Sequence, residues 1–165
     1  MSIENTKAGL SFSRNKVVGV EAIDDNTFAA HGVLEDCIYA MELDVKVRVP
    51  DFEIAHIEGK MNRFTTPVCE QAIPKLQNAV GMRVPEEEFA RKIHRVVGRE
   101  GCTHFANLLI ECCDAIVQAA VYSEWQELKR KGEAPEKEEY LKGKLRGLPG
   151  LQHNCTVYSR LAGVM

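Results

Sequence analysis

The sequence predicts an α+β protein in which an antiparallel meander of about four strands is followed by helices packed on one face of the sheet. Two patterns lead to this class. Apolar and polar residues alternate with period two in the first part of the chain, and apolar residues recur at helical spacing after Thr66. The two patterns follow one another instead of interleaving, which is typical of an α+β sandwich.

The most regular strand is predicted within residues 38–49. Its apolar residues take the odd-numbered positions from Met41 to Val49, and charged residues take the even positions between them. This alternation predicts one packed face and one solvated face. The other three strands are predicted at residues 16–23, 27–34 and 52–58. The cluster Asp24-Asp25-Asn26 favours a turn between the first two strands, because short Asx side chains bond to their own backbone.

The first two helices are predicted between residues 69 and 98. Residues 69–80 carry apolar side chains at helical spacing, but Pro74 requires either a helix start near Ile73 or a kink. The next helix is predicted to begin at Pro85. Proline at the first helical position, followed by three glutamates, suits the positive end of the helix dipole.

The longest helix is predicted from about Thr103, whose hydroxyl can act as N-cap, to about Lys131, with Gly132 ending it. We therefore expect a single α+β domain over residues 1–132. Residues 133–165 are expected to form a short charged helix followed by a loose tail. Three glycines mark that tail: Gly143, Gly147 and Gly150.

Composition narrows the classes of function. The chain has 165 residues, 21 basic and 24 acidic side chains and a net charge of −3, which argues against a dedicated nucleic-acid binder. We find neither a run of about 18 apolar residues nor an apolar secretion segment in residues 1–25, so we expect no membrane span and a cytoplasmic location. A protein partner or a homo-oligomer stays open. Three residues could either extend such an interface or cover the core: Tyr122, Trp125 and Leu128.

The six cysteines are the most informative residues, since a cytoplasmic location keeps them as reduced thiols. Cys37 lies at the entry of a strand, while Cys69 and Cys102 lie at predicted helix starts, with His104 in the first turn of the longest helix. Backbone N–H groups at a helix start stabilise thiolate, the form that binds metal. We therefore predict a zinc or iron–sulfur site formed by Cys69 and Cys102, with one or both of Cys37 and His104 as further ligands.

Two alternatives use the same residues without a metal. Cys102 could act as a nucleophile with His104 as base, although side chains two residues apart on a helix diverge and are not expected to touch. The other alternative is a metal-free accessory or small-ligand-binding protein with structural cysteines. Cys112 fits packing, because it lies within the apolar stripe of the longest helix, and Cys113 follows it.

Three segments resemble a bacterial family known only as a domain of unknown function. They are Thr66-Pro67-Val68-Cys69, Gly81-Met82-Arg83-Val84 and Gly101-Cys102-Thr103-His104-Phe105. Members of that family pair a Pro-x-Cys segment with a downstream Gly-Cys-Thr-His-Leu segment. The resemblance covers roughly residues 12–122. It implies a shared fold and shared candidate residues, but no activity.

The order of the cysteines is also similar to that of iron–sulfur scaffold proteins of the NifU N-terminal type. Cys37–Met41 resembles their Cys-Gly-Asp-x-Met segment, Cys69–Ile73 their second cysteine segment, and Gly101–Ala106 their third. This similarity implies a sheet followed by helices, with three cysteines holding a cluster. The chain departs from the pattern in lacking the Asp after the first cysteine and in placing His104 after the third cysteine instead of before it.

Overall fold

The computed structural model describes residues 12–49 and 51–164, so the first eleven residues of the predicted domain lie outside it, as do Pro50 and Met165. The fold confirms the predicted α+β class. Four strands form one antiparallel sheet in the order β1-β2-β3-β4, which is a simple meander. Their bounds are β1 (Arg14–Asp24), β2 (Thr27–Asp36), β3 (Ala40–Arg48) and β4 (Glu53–Arg63).

One face of the sheet carries the core. Alternate residues of β2 and β3 are buried, and the residues between them are more exposed. This confirms the period-two pattern, because successive side chains of a strand point to opposite faces. In β4 the buried residues Ile54, Ile57 and Met61 depart from strict alternation, because the β3–β4 register shifts at two places. Three buried side chains represent the packed face: Leu34, Leu43 and Ile57. β1 is an edge strand whose side chains are mostly exposed.

The segment after β4 forms a 3-10 helix over Pro67–Ala79. Pro74 lies inside this segment, which is a 3-10 helix instead of the regular α-helix that a proline would have interrupted. The next helix begins later than predicted. Pro85 lies in a turn, Glu88 adopts a left-handed conformation with φ of 63°, and α1 covers only Phe89–Ile93 before a π-helical turn at His94–Arg99.

The longest helix, α2 (Thr103–Lys131), matches the predicted bounds and ends at Gly132 with φ of 76°. The predicted N-cap is wrong by one residue: Cys102, not Thr103, is the N-cap. Within residues 12–49 and 51–164, α2 is the one helix whose length and apolar composition would allow it to cross a membrane. Long helices in the core of a globular protein have the same length and composition. The buried residues of α2 end at Val117, and they pack on the sheet.

The chain continues after α2 as α3 (Lys137–Gly147), a 3-10 turn at Pro149–Leu151 and α4 (Thr156–Ala162). The glycines expected in a loose tail are ordered into these elements. Gly143 and Gly147 lie within α3, and Gly150 donates its N–H to the Pro85 carbonyl oxygen at 2.7 Å. A Cβ at Gly150 would lie 2.6 Å from the Glu86 carbonyl oxygen, so this contact requires glycine.

Candidate thiol site

Cys102 and His104 are in contact at the start of α2. Cys102 Sγ lies 3.8 Å from His104 Nδ1. The expectation that these side chains diverge was wrong because Cys102 is not helical: its φ of −139° and ψ of 120° are extended. An N-cap side chain is directed over the first turn, and His104 occupies the second helical position of that turn. The structure therefore pairs a thiol with an imidazole.

His104 is held between a ring and charged groups. Its imidazole stacks on the Tyr39 phenol ring with centroids 4.3 Å apart and planes tilted by 42°. Burial lowers the pKa of His104, and the positive charge of Arg14 lowers it further, against an opposing effect of Asp36. His104 is therefore neutral at pH 7, with one ring nitrogen free to accept a proton.

Asp36 organises the turn that carries Tyr39. Its Oδ1 accepts hydrogen bonds from the backbone N–H of Ile38 at 2.6 Å and of Tyr39 at 2.7 Å, and its Oδ2 accepts from Arg14 Nε at 2.6 Å. Arg63 donates to the Asp36 carbonyl oxygen. Burial would raise the pKa of Asp36, but these backbone donors and Arg14 lower it to about 2. The turn is thus fixed beside His104 by a carboxylate that is ionised at neutral pH.

Cys69 occupies a second polar environment at the start of the Pro67–Ala79 helix. Its Sγ lies 3.5 Å from Thr65 Oγ1 and 3.8 Å from Thr66 Oγ1. The Thr65 hydroxyl, followed by the backbone N–H and the hydroxyl at Thr66, stabilises thiolate and lowers the pKa of Cys69. This agrees with the expectation that a thiol at this helix start is activated.

Cys37 lies exposed in the β2–β3 turn. The donors do not fit the predicted metal centre: among the residues that the structure describes, no three His, Cys, Asp or Glu side chains are grouped to hold an ion. Of the four predicted ligands, the structure brings Cys102 and His104 together, while the Cys69 sulfur contacts two hydroxyls. Two donors fall short of the four that a structural zinc site uses.

The remaining cysteines divide into core and surface residues. Cys112 and Cys113 are fully buried. Burial raises the pKa of Cys112 to about 12, and it also raises the pKa of Cys113. The packing role predicted for Cys112 agrees with this environment, and Cys113 shares it. Cys155 is exposed and caps α4, with its Sγ accepting from the Tyr158 N–H at 3.4 Å.

Sequence reasoning missed Arg14, Asp36 and Tyr39. Asp36 and Tyr39 could have been found from the sequence. An Asp at the end of a strand often forms an Asx turn, in which its side chain accepts hydrogen bonds from backbone N–H groups two and three residues later. Arg14 carries no such signal. It reaches Asp36 because the β1–β2 register sets these two residues opposite each other, and a register is not visible in either strand alone.

The fold and site define a small α+β protein with a thiol–imidazole pair at a helix start. The chain belongs to the family described as Protein of unknown function (DUF2889), which matches residues 16–118 and hence more than half of the chain. All four predicted site residues, Cys37, Cys69, Cys102 and His104, fall inside this match. No curated protein and no solved structure matches the chain. The similarity to NifU-type scaffold proteins is therefore not confirmed.

Proposed function

We propose that the protein carries a reversible thiol site at which Cys102 exchanges with low-molecular-weight disulfides. The observation that carries this proposal is the 3.8 Å contact between Cys102 Sγ and the Nδ1 atom of a neutral, partly buried His104. A thiol is activated by an adjacent base, and a third group that orients the base completes such a pair. Tyr39 is the orienting group here, through its ring contact with His104.

The exchange moves one proton and exchanges one S–S bond for another. The Cys102 thiol transfers its proton to His104, and the resulting thiolate attacks one sulfur of a disulfide. A bond forms between Cys102 Sγ and that sulfur while the original S–S bond breaks. The leaving thiolate then takes the proton from His104, so the products are a mixed disulfide on Cys102 and one free thiol.

The surroundings of His104 suit a small ligand. A cavity of about 350 Å³ is lined by His104 together with basic and acidic side chains, among them Lys16, Glu111 and Asp114. Lys16 is paired with Glu111 at 2.8 Å, so the lining suits a small disulfide that carries both ammonium and carboxylate groups. Cys102 itself is half-buried, which leaves its sulfur reachable. We also propose the cytoplasm as the location, because the exchange starts from a reduced thiol.

Site-resolved alkylation tests the proposal. Metal-free native protein is treated with limiting iodoacetamide at pH 7, and peptide mass spectrometry gives the rate for each cysteine. We expect Cys102 to react about tenfold faster than the exposed Cys37, because His104 accepts the thiol proton. His104→Gln should bring Cys102 to the rate of Cys37.

His94→Gln is the matched control, since His94 lines the same cavity and the histidine paired with Cys102 Sγ is His104. This variant should leave the Cys102 rate unchanged. Incubation with glutathione disulfide should then add one glutathione to Cys102 of the wild-type protein. A Cys102 rate no greater than that of Cys37, or equal effects of His94→Gln and His104→Gln, would contradict the proposal.

Metal binding is the second candidate, and the same pair favours it. A separation of 3.8 Å between Cys102 Sγ and His104 Nδ1 is compatible with both atoms binding one zinc ion at about 2.3 and 2.0 Å. Further donors would have to come from outside this pair. Elemental analysis of anaerobically purified protein separates the candidates, because stoichiometric zinc or iron that is lost in Cys102→Ser supports a metal site and contradicts the exchange proposal.

A further inference from the structure

We propose that a second cavity, formed by α2, α3 and α4, binds an amphipathic monocarboxylate: a single apolar chain or ring system that ends in one carboxylate. The cavity has a volume of about 430 Å³ and extends along α2 from Val117 to Trp125. Its walls are mainly apolar. Representative wall residues are Val121, Leu141, Leu148 and Tyr158. Pockets for small organic ligands combine such walls with a few polar groups.

An unpaired donor marks this cavity. Trp125 lines it, and the indole Nε1 is buried without a hydrogen-bond partner in the part of the chain that the structure describes. Tyr140, which also lines the cavity, is different because its hydroxyl donates to the Val121 carbonyl oxygen at 3.0 Å. A buried indole N–H normally has an acceptor. A ligand with an acceptor oxygen would supply what Trp125 lacks.

The charges around Trp125 indicate that the acceptor is anionic. Lys129 Nζ lies 5.4 Å and Lys137 Nζ 5.7 Å from the centre of the indole ring. Neither ammonium group forms an ion pair within the described residues, whereas Lys144 is paired with Glu124 at 2.5 Å. Lys137 also lines the cavity. Both ammonium groups lie over the indole ring in cation–π contacts, and this local excess of positive charge favours a carboxylate over a neutral carbonyl or a cationic ligand.

This cavity is separate from the thiol site. Trp125 follows Cys102 by 23 positions along the same helix, which corresponds to about 35 Å. The inference therefore does not depend on the exchange chemistry proposed for Cys102. It assigns a ligand to the C-terminal helices, a region that follows the family match.

Trp125 provides the measurement, because it is the single tryptophan of the chain. The full-length protein is titrated with decanoate, 1-decanol and decylammonium below their aggregation concentrations, and tryptophan fluorescence is recorded. We expect saturable binding of decanoate at micromolar concentrations, with 1-decanol binding at least about tenfold more weakly and decylammonium more weakly still. No saturable change with decanoate, or equal binding of all three probes, would overturn the proposal.

Two variants test the assigned groups. Lys137→Met should weaken decanoate binding about tenfold and leave 1-decanol binding unchanged, since it removes a charge and keeps an apolar stem. Lys142→Met is the matched control, because Lys142 lies on the same helix in an exposed pair with Glu138. Trp125→Phe, followed by calorimetry, should weaken decanoate binding severalfold. Unchanged decanoate affinity in both Lys137→Met and Trp125→Phe would show that these groups do not bind the carboxylate.

Discussion

Gly32 of β2 lies directly beneath Cys112 of α2. A Cβ on Gly32 would lie 2.6 Å from Cys112 Sγ and 3.1 Å from Leu108 Cδ1. The helix can approach the sheet this closely because Gly32 has no side chain and Cys112 has a small one. Both residues are fully or nearly fully buried, so no solvent-exposed space can absorb an added methyl group.

Gly32→Ala should therefore lower the free energy of unfolding by about 2 kcal/mol, since it overpacks the interface between the sheet and α2. Urea denaturation at pH 7 measures the change. Gly19→Ala is the control on the exposed edge strand, because nothing lies within 4 Å of a Cβ there. Adding Cys112→Ala to Gly32→Ala should recover part of the loss, as contacting residues are non-additive. Strict additivity of the two substitutions would count against the contact.

Asp36→Asn should destabilise the protein, because it removes the negative charge that Arg14 contacts and weakens the two backbone hydrogen bonds of the turn. We expect the melting temperature at pH 7 to fall by about 5 °C. Asp44→Asn, at an exposed residue that contacts His31, should change it little.

The contribution of Asp36 to the free energy of unfolding should depend on pH. The pKa of Asp36 is lowered from 3.8 to about 2 in the folded protein, so its stabilising contribution is present above pH 4. That contribution is lost as the pH falls towards 2, because the unfolded chain takes up the proton first. The difference between wild type and Asp36→Asn should shrink over this interval. A difference that stays constant from pH 5 to pH 2 would disagree with the ionised role of Asp36.

His104 should contribute to stability at neutral pH and lose that contribution on mild acidification. Its pKa is lowered from 6.5 by burial and by Arg14, so the unfolded chain binds a proton more readily once the pH falls below about 6.5. Urea denaturation of wild type and His104→Gln at pH 7 and pH 5 measures this. The variant should show the smaller loss of stability between the two pH values, and an equal loss in both proteins would refute the prediction.

Cys112 and Cys113 should resist alkylation in the native protein. Both thiols are buried and have raised pKa values, so each lacks the access and the thiolate population that the reaction requires. Mass spectrometry should find Cys37 modified while these two remain free, until urea unfolds the chain. Modification of Cys113 at the rate of Cys37 would show that α2 opens without global unfolding.

Cys113→Ser should also lower the free energy of unfolding by about 1–3 kcal/mol, because it puts a hydroxyl into an apolar site. Cys37→Ser provides the matched exposed substitution and should leave the urea midpoint unchanged.

The sequence carries enough information for the sheet and for α2, because both depend on periodic patterns within one segment. β3 follows from strict alternation, and α2 ends at Gly132 because glycine adopts the positive φ that the C-terminus requires. The start of α1 was harder to predict. The strong signal at Pro85 is overridden by a turn, and Gly150 packs against the backbone of that turn from far along the chain.

The candidate site was only partly visible for a similar reason. Cys102 and His104 could be selected from their position at a helix start, but their contact depends on the extended backbone of Cys102. A spacing argument that treats both residues as helical gives the opposite answer. Arg14 and Tyr39 reach the site through the β1–β2 register and the β2–β3 turn, so they belong to tertiary structure and not to a motif.

The length of α2 keeps the two proposed sites independent of each other. Its N-terminal end bears Cys102 and its C-terminal half bears Trp125, and fully packed turns of helix lie between them. Substitutions separated by this distance usually add in free energy. An engineer could therefore exchange the ligand specificity of one end, or remove one site altogether, and still use the other as an unaltered internal reporter.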